Sequence, residues 1–189
     1  YALKAMSKDD FVRMMTVDLP EAPAYFPRDA EINRTGAAPL EDLPRPKVLP
    51  PEAVSARAQQ DYLVLDLRSA AAYGNAHVPN SLNVALSGQF ATWCGTLVTP
   101  GTQIVLVADD VGQVDEAVTR LARVGIESVD GYLDGGMQAW DKSGLVTESI
   151  GQMPVDELRL RIAEGSHLQL IDVRRPGEYN NGHAPGAIN

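Results

Sequence analysis

One cysteine, Cys94, is all the thiol chemistry that 189 residues offer. A lone cysteine closes no internal disulfide and supplies no multi-thiolate zinc site. Histidine is nearly as scarce. His77, His167 and His183 are scattered, without the H-E-x-x-H type of spacing that brings two imidazoles to one metal, so no metal site is expected from this chain alone. Basic residues are also in deficit: 16 against 25 acidic ones give a formal net charge of -9 and a pI near 4.7. Nucleic acid needs a clustered basic surface, as does an anionic membrane, so neither is expected as a partner. No apolar run approaches a membrane span and no signal peptide is visible, which makes a reducing, cytoplasmic setting the expectation. The first residue is Tyr1, which implies that the sequence begins inside a longer gene product.

What is present is uneven along the chain. Ser7-Lys8-Asp9-Asp10 fits a capping box opening a short helix through Phe11, Val12, Met14 and Met15. Eight of the thirteen prolines then fall between residues 20 and 51, among them Pro20, Pro23 and Pro27, so this stretch cannot close a core and reads as a docked tail followed by a semi-extended linker. Beyond it the elements alternate. A helix is predicted from Pro51 to Gln59, a buried strand over Tyr62–Leu67, a short helix over Ser69–Ala76 and a strand over Leu82–Ala85. Next come a strand over Ile104–Ala108, a loop from Asp109 to Val114, a helix from Asp115 to Leu121 and a strand near Glu127–Asp130. Asp134-Gly135-Gly136 then turns into a last helix through Trp140. Interleaved strands and helices predict a three-layer α/β/α fold with a parallel central sheet, preceded by the proline-rich arm.

A repeat organises the rest. Residues 62–83 align without gaps on residues 168–189, an offset of 168 − 62 = 106, and Asp66/Asp172, Arg68/Arg174, Tyr73/Tyr179, Asn75/Asn181, His77/His183, Pro79/Pro185 and Asn83/Asn189 coincide. A second copy is therefore expected to start near Met153, and residue 189 lies about a third of the way through it.

Residues 52–148 resemble a rhodanese-like domain, the fold of sulfurtransferases. The resemblance rests on Leu65-Asp66-Leu67-Arg68, on Ala76-His77-Val78-Pro79-Asn80-Ser81-Leu82-Asn83, and on Val129-Asp130-Gly131-Tyr132-Leu133-Asp134-Gly135-Gly136 with Ala139-Trp140. Gly182-His183-Ala184-Pro185-Gly186-Ala187-Ile188-Asn189 matches the family's G-H-I-P-G-A-I-N pattern more closely still. Tyr25-Phe26-Pro27-Arg28-Asp29, Ile32-Asn33-Arg34 and Phe90-Ala91-Thr92-Trp93 are similar to an architecture in which a metallo-β-lactamase-fold domain precedes two rhodanese-like domains. The division this implies is 1–33 as the tail of the upstream domain, 34–51 as linker, 52–148 as one rhodanese-like domain and 149–189 as the start of another. Some relatives with that architecture are persulfide dioxygenases or glyoxalase-II-like hydrolases. The parent's iron or zinc would then lie upstream, with no cofactor in this chain.

In an active rhodanese a cysteine ends the central strand, and the N–H groups of the next loop ring its thiolate. The resemblance places Ala108 there, followed by Asp109, Asp110, Val111, Gly112, Gln113 and Val114. An alanine carries no sulfur, and the loop after it holds no basic residue. At an effective dielectric of about 20, an anion about 5 Å from one of these carboxylates would be repelled by roughly 3 kcal/mol. The aspartates suit a helix start instead. Cys94 reads as a packing cysteine, His77 and His183 as turn histidines, His167 as a surface residue, and Asp66–Arg68 and Asp172–Arg174 as structural ion pairs. Gly135-Gly136 reads as a tight turn.

The expectation is thus a chain without catalytic activity, a scaffold that docks the upstream metal domain and could also mediate dimer contacts. The alternative is a sulfurtransferase whose cysteine follows Asn189 in the second copy.

Overall fold

The computed structural model describes residues 5–17, 22–23, 25–36, 39, 42–165 and 167–189, and divides the chain into two compact units, Tyr1–Ile150 and Gly151–Asn189. Pro20, read as a breaker, lies outside the described residues.

The first unit opens with α1 (Lys8–Thr16), whose N-cap Ser7 accepts the Asp10 N–H, and α2 (Phe26–Thr35). Half of the predicted capping box is formed: the Asp10 carboxylate takes the Ser7 hydroxyl rather than reaching back to the backbone. Pro27 does not break the chain as expected. It sits in the first turn of α2, where a helix needs no N–H from it. Then follow β1 (Lys47–Leu49), α3 (Pro51–Ala58), β2 (Leu63–Asp66), α4 (Ala70–Asn75), β3 (Leu82–Asn83), α5 (Phe90–Leu97), β4 (Ile104–Val107), α6 (Val111–Ala122), β5 (Val129–Leu133) and α7 (Gly136–Lys142).

The five strands form one sheet in the order β1-β5-β4-β2-β3, every pair parallel. Successive residues of a strand point to opposite faces, and β4 divides accordingly. Ile104 and Leu106 join a core layer with Phe90 and Cys94 of α5 and Val114, Ala117 and Leu121 of α6. Val105 and Val107 join a second layer with Val54 of α3 and Trp140 of α7. All four β4 side chains are fully buried, which is why this strand reads as an unbroken aliphatic run.

Three features depart from the sequence reading. The stretch read as linker ends in β1, an edge strand of the sheet, in register with β5 through Lys47↔Gly131 and Leu49↔Leu133. A methyl group on Gly131 would lie 2.5 Å from Leu49 Cδ1 and 2.6 Å from the Lys47 carbonyl oxygen, so β1 closes on β5 only over a glycine. The strand expected near Glu127–Asp130 begins two residues later, and Asp130 is the extra residue of a bulge, since Ile104 pairs Val129 and Val105 pairs Gly131. The segment from Phe90 to Leu97, not read as an element, is a helix whose Phe90, Cys94 and the following Val98 form one buried stripe.

The second unit contains α8 (Val155–Ala163), α9 (Pro176–Asn180) and a parallel bridge between Ile171 and Ile188. Ile171 is 57% exposed and Val173 92%, whereas their counterparts Leu65 and Leu67 in the first unit are 0% and 2% exposed. The positions that build a core layer in one unit are open in the other.

Candidate functional site

The candidate site lies where β4 and β5 end, the edge of a parallel sheet at which ligands bind. A cavity of about 300 Å³ there is lined by Ala108, Asp109, Asp110, Val111 and Val114 on one side. Tyr132, Leu133, Asp134, Gly135 and Gly136 line the other. The first five were read from the sequence as an active-loop remnant. The second five were not, although the adjacency of the β5 end to the β4 end would have pointed to them. Gly136 has a φ of +56°, and a methyl group on it would lie 2.9 Å from the Ala108 carbonyl oxygen, so the turn into α7 is pressed against the strand end.

The loop expected from Asp109 to Val114 is shorter than predicted. α6 begins at Val111, so Val111, Gly112, Gln113 and Val114 are its first turn rather than loop. The cause is local capping. Asp110 is the N-cap, and its carboxylate accepts the Gln113 N–H at 2.9 Å. The Gln113 side chain in turn accepts the Asp109 N–H at 3.1 Å. Two donors that could face an anion are therefore taken by the chain's own oxygens. Asp109, Asp110 and Asp134 are all exposed. Repulsion of an anion about 5 Å from one of them is accordingly weaker than the sequence estimate, about 1 kcal/mol per carboxylate at a dielectric near that of water. Ala108 itself is only 7% exposed and presents a methyl group to this cavity.

The other singled-out residues lie elsewhere and form a frame that recurs in both units. Arg68 donates from its backbone N–H, Nε and Nη2 to the Asp66 carboxylate at 2.6–3.1 Å, and from Nη2 to the Ala76 carbonyl at 2.8 Å. The Asn83 side chain donates to the carbonyls of Asp66 and Arg68, both at 2.9 Å. Tyr73 donates to the Ser81 carbonyl and stacks on His77 with ring centroids 3.9 Å apart. Nδ1 of His77 meets the Tyr73 carbonyl at 2.8 Å, while its backbone bridges to Glu148 in both directions. In the second unit Asp172, Arg174, Tyr179, Gly182, His183, Ala187 and Asn189 repeat the corresponding side-chain contacts bond for bond. These side chains tie the strand end to the turn that follows α4 or α9, and none of them lines the cavity at Ala108.

Cys94 is buried on α5, and burial pushes its thiol up to about 12. That favours the neutral form and leaves no nucleophile at ordinary pH. Among the described residues, no three His, Cys, Asp or Glu side chains converge as a metal-binding group. No helix among them is long and apolar enough to cross a membrane.

The chain belongs to the rhodanese-like domain family, whose model matches residues 49–143 and again 154–189. Among solved structures it is similar to the Alr3790 protein of Anabaena sp., at a TM-score of 0.50 and 20% identity, covering 62% of this chain and 99% of that one. It is also similar to a metallo-β-lactamase from Staphylococcus aureus, at a TM-score of 0.56 and 22% identity. That match covers 70% of this chain but only 36% of the Staphylococcus protein. At these identities the likeness is one of fold. No curated protein matches the chain.

Proposed function

We propose that the first rhodanese-like unit is a non-catalytic scaffold in a larger protein of persulfide metabolism, where it docks an upstream metallo-β-lactamase-fold domain in the cytoplasm. The observation that carries this reading is the end of β4. Ala108 stands where a sulfur-carrying cysteine would be needed, and the N–H groups of Asp109 and Gln113 are bonded to Gln113 and Asp110 side chains. The fold likeness to the Staphylococcus aureus metallo-β-lactamase supports the architecture. In this reading the iron or zinc of such a protein belongs to the upstream domain, and no chemical step is assigned to a metal here.

The test compares oxygen uptake with glutathione persulfide by the iron-loaded parent and by this 189-residue chain. Uptake by the parent alone supports the scaffold reading. Uptake by neither removes the dioxygenase assignment and leaves a hydrolytic parent. Thiocyanate formation from thiosulfate and cyanide by the parent, lost when a cysteine of its second copy is replaced, would favour sulfur transfer as the parent's activity.

A further inference from the structure

We propose that the groove between the ends of α5 and α6 is an interaction surface built for a helix bearing an aromatic residue, an arginine three positions on and an aliphatic residue four beyond that. α2 occupies it as a permanent clamp on the rhodanese-like domain. The inference goes beyond the scaffold reading, because it concerns this chain's own helix and requires no upstream domain.

Two glycines floor the groove. Gly95 lies inside α5, where glycine is less favourable than alanine. A methyl group there would fall 2.5, 2.8 and 2.9 Å from Cδ1, Cε1 and Cγ of Tyr25, so the tyrosine ring rests directly on the helix backbone. Gly125, just past α6 at a φ of +71°, would carry a methyl group 3.0 Å from Arg28 Nε and 3.3 Å from Ile32 Cδ1. Tyr25, Arg28 and Ile32 thus meet the domain at two separate glycines.

The spacing is that of one helix face. Tyr25, Asp29 and Ile32 are half-buried, while the remaining residues of Phe26–Thr35 are exposed. Tyr25 packs against the core layer that holds Cys94, Val98, Val124 and Ile126. Burial raises the Asp29 carboxyl above its usual range, with Arg28 opposing, as expected for the side of a helix turned toward protein. The clamp lies wholly outside the family match, which begins at residue 49. It is therefore an addition to the rhodanese-like fold, and the glycine at position 95 is explained by the helix that covers it.

The test uses the full chain with Gly95→Ala, Tyr25→Ala and the double variant, read by urea midpoint and by hydrogen exchange of α2. In the native background Gly95→Ala is expected to lower the midpoint and to speed α2 exchange at least tenfold, leaving β4 protected. With Tyr25 already replaced by alanine, adding Gly95→Ala is expected to raise the midpoint, because the better helix former no longer meets a ring. A higher midpoint from Gly95→Ala alone overturns the proposal. So does α2 exchange that is unchanged by Tyr25→Ala, a comparison that decides the matter even if Gly95→Ala fails to fold. None of these readouts involves sulfur chemistry, so failure of the scaffold reading leaves this result standing, and the converse holds.

Discussion

Asp66→Ala separates burial from geometry, because the same ion pair occurs twice. In the first unit the Asp66 side chain is 0% exposed and that of Arg68 7%, with the carboxylate taking the backbone N–H, Nε and Nη2 of the arginine. In the second unit Asp172 and Arg174 make the same bonds at nearly the same distances, but the Arg174 side chain is 46% exposed. Removing Asp66 strands a buried guanidinium, and breaking a buried pair from one side costs about 3–5 kcal/mol. For a protein of this size, each kcal/mol corresponds to about 2–4 °C, so the main thermal transition is expected to fall by about 10 °C. Asp172→Ala leaves a guanidinium that water already reaches, and is expected to leave the transition of the first unit in place. Replacing the buried pair together, Asp66→Leu with Arg68→Met, is expected to cost less than Asp66→Ala alone, since no charge is left unpaired. Calorimetry on the four proteins makes the comparison. Equal losses for Asp66→Ala and Asp172→Ala, or a double variant worse than the single, would refute the reasoning.

Further outcomes follow from the site and its surroundings. Ala108→Cys alone is expected to restore less than a tenfold gain in thiosulfate:cyanide sulfurtransferase activity, because Gln113 and Asp110 still occupy the nearby N–H groups; robust turnover from that single change would contradict this. Cys94 is expected to react with iodoacetamide about a thousandfold more slowly in the native chain than in urea at pH 8, given a thiol pushed from 9.0 to about 12, and comparable rates would show the burial to be wrong. The hydrogen bond from Lys47, followed by that from Arg57, holds the Asp130 carboxyl below its usual 3.8 despite partial burial. A depressed carboxyl contributes stability that is present above the unfolded value and lost as pH falls through the folded one. Asp130→Asn should therefore flatten the acid limb of the stability curve below about pH 4, and an unchanged limb would show that the Lys47 and Arg57 contacts do not hold this carboxyl down.

The sequence carried the parts of this structure that depend on neighbours in the chain. β4 was legible because all four of its residues are aliphatic and buried, and α3 because Pro51 opens it. One wall of the cavity at the end of β4 was legible in the same way: a strand that ends in alanine and two aspartates is local information. β1 was not, because three residues among prolines become a strand only by pairing with Gly131, 84 positions away (131 − 47). α5 was hidden by Thr92, Gly95 and Thr96, poor helix formers whose helix is set by the buried stripe of Phe90 and Cys94. Each such apolar side chain contributes about 1.5–3 kcal/mol on burial, enough to override those preferences. The start of α6 was placed too late because Val111 and Gly112 disfavour a helix: the aspartates were read as suiting a helix start, but that Asp110 caps Gln113 and that Gln113 bonds back to Asp109 are side-chain contacts visible only in three dimensions.

The most direct test of the central claim is to incubate the purified 189-residue chain with thiosulfate, then measure thiocyanate after cyanide and weigh the intact protein. The account predicts no thiocyanate above the uncatalysed rate and no added sulfur atom on the chain. Turnover accompanied by a sulfur adduct, both abolished by Cys94→Ser, would contradict it and make the buried cysteine the sulfur carrier.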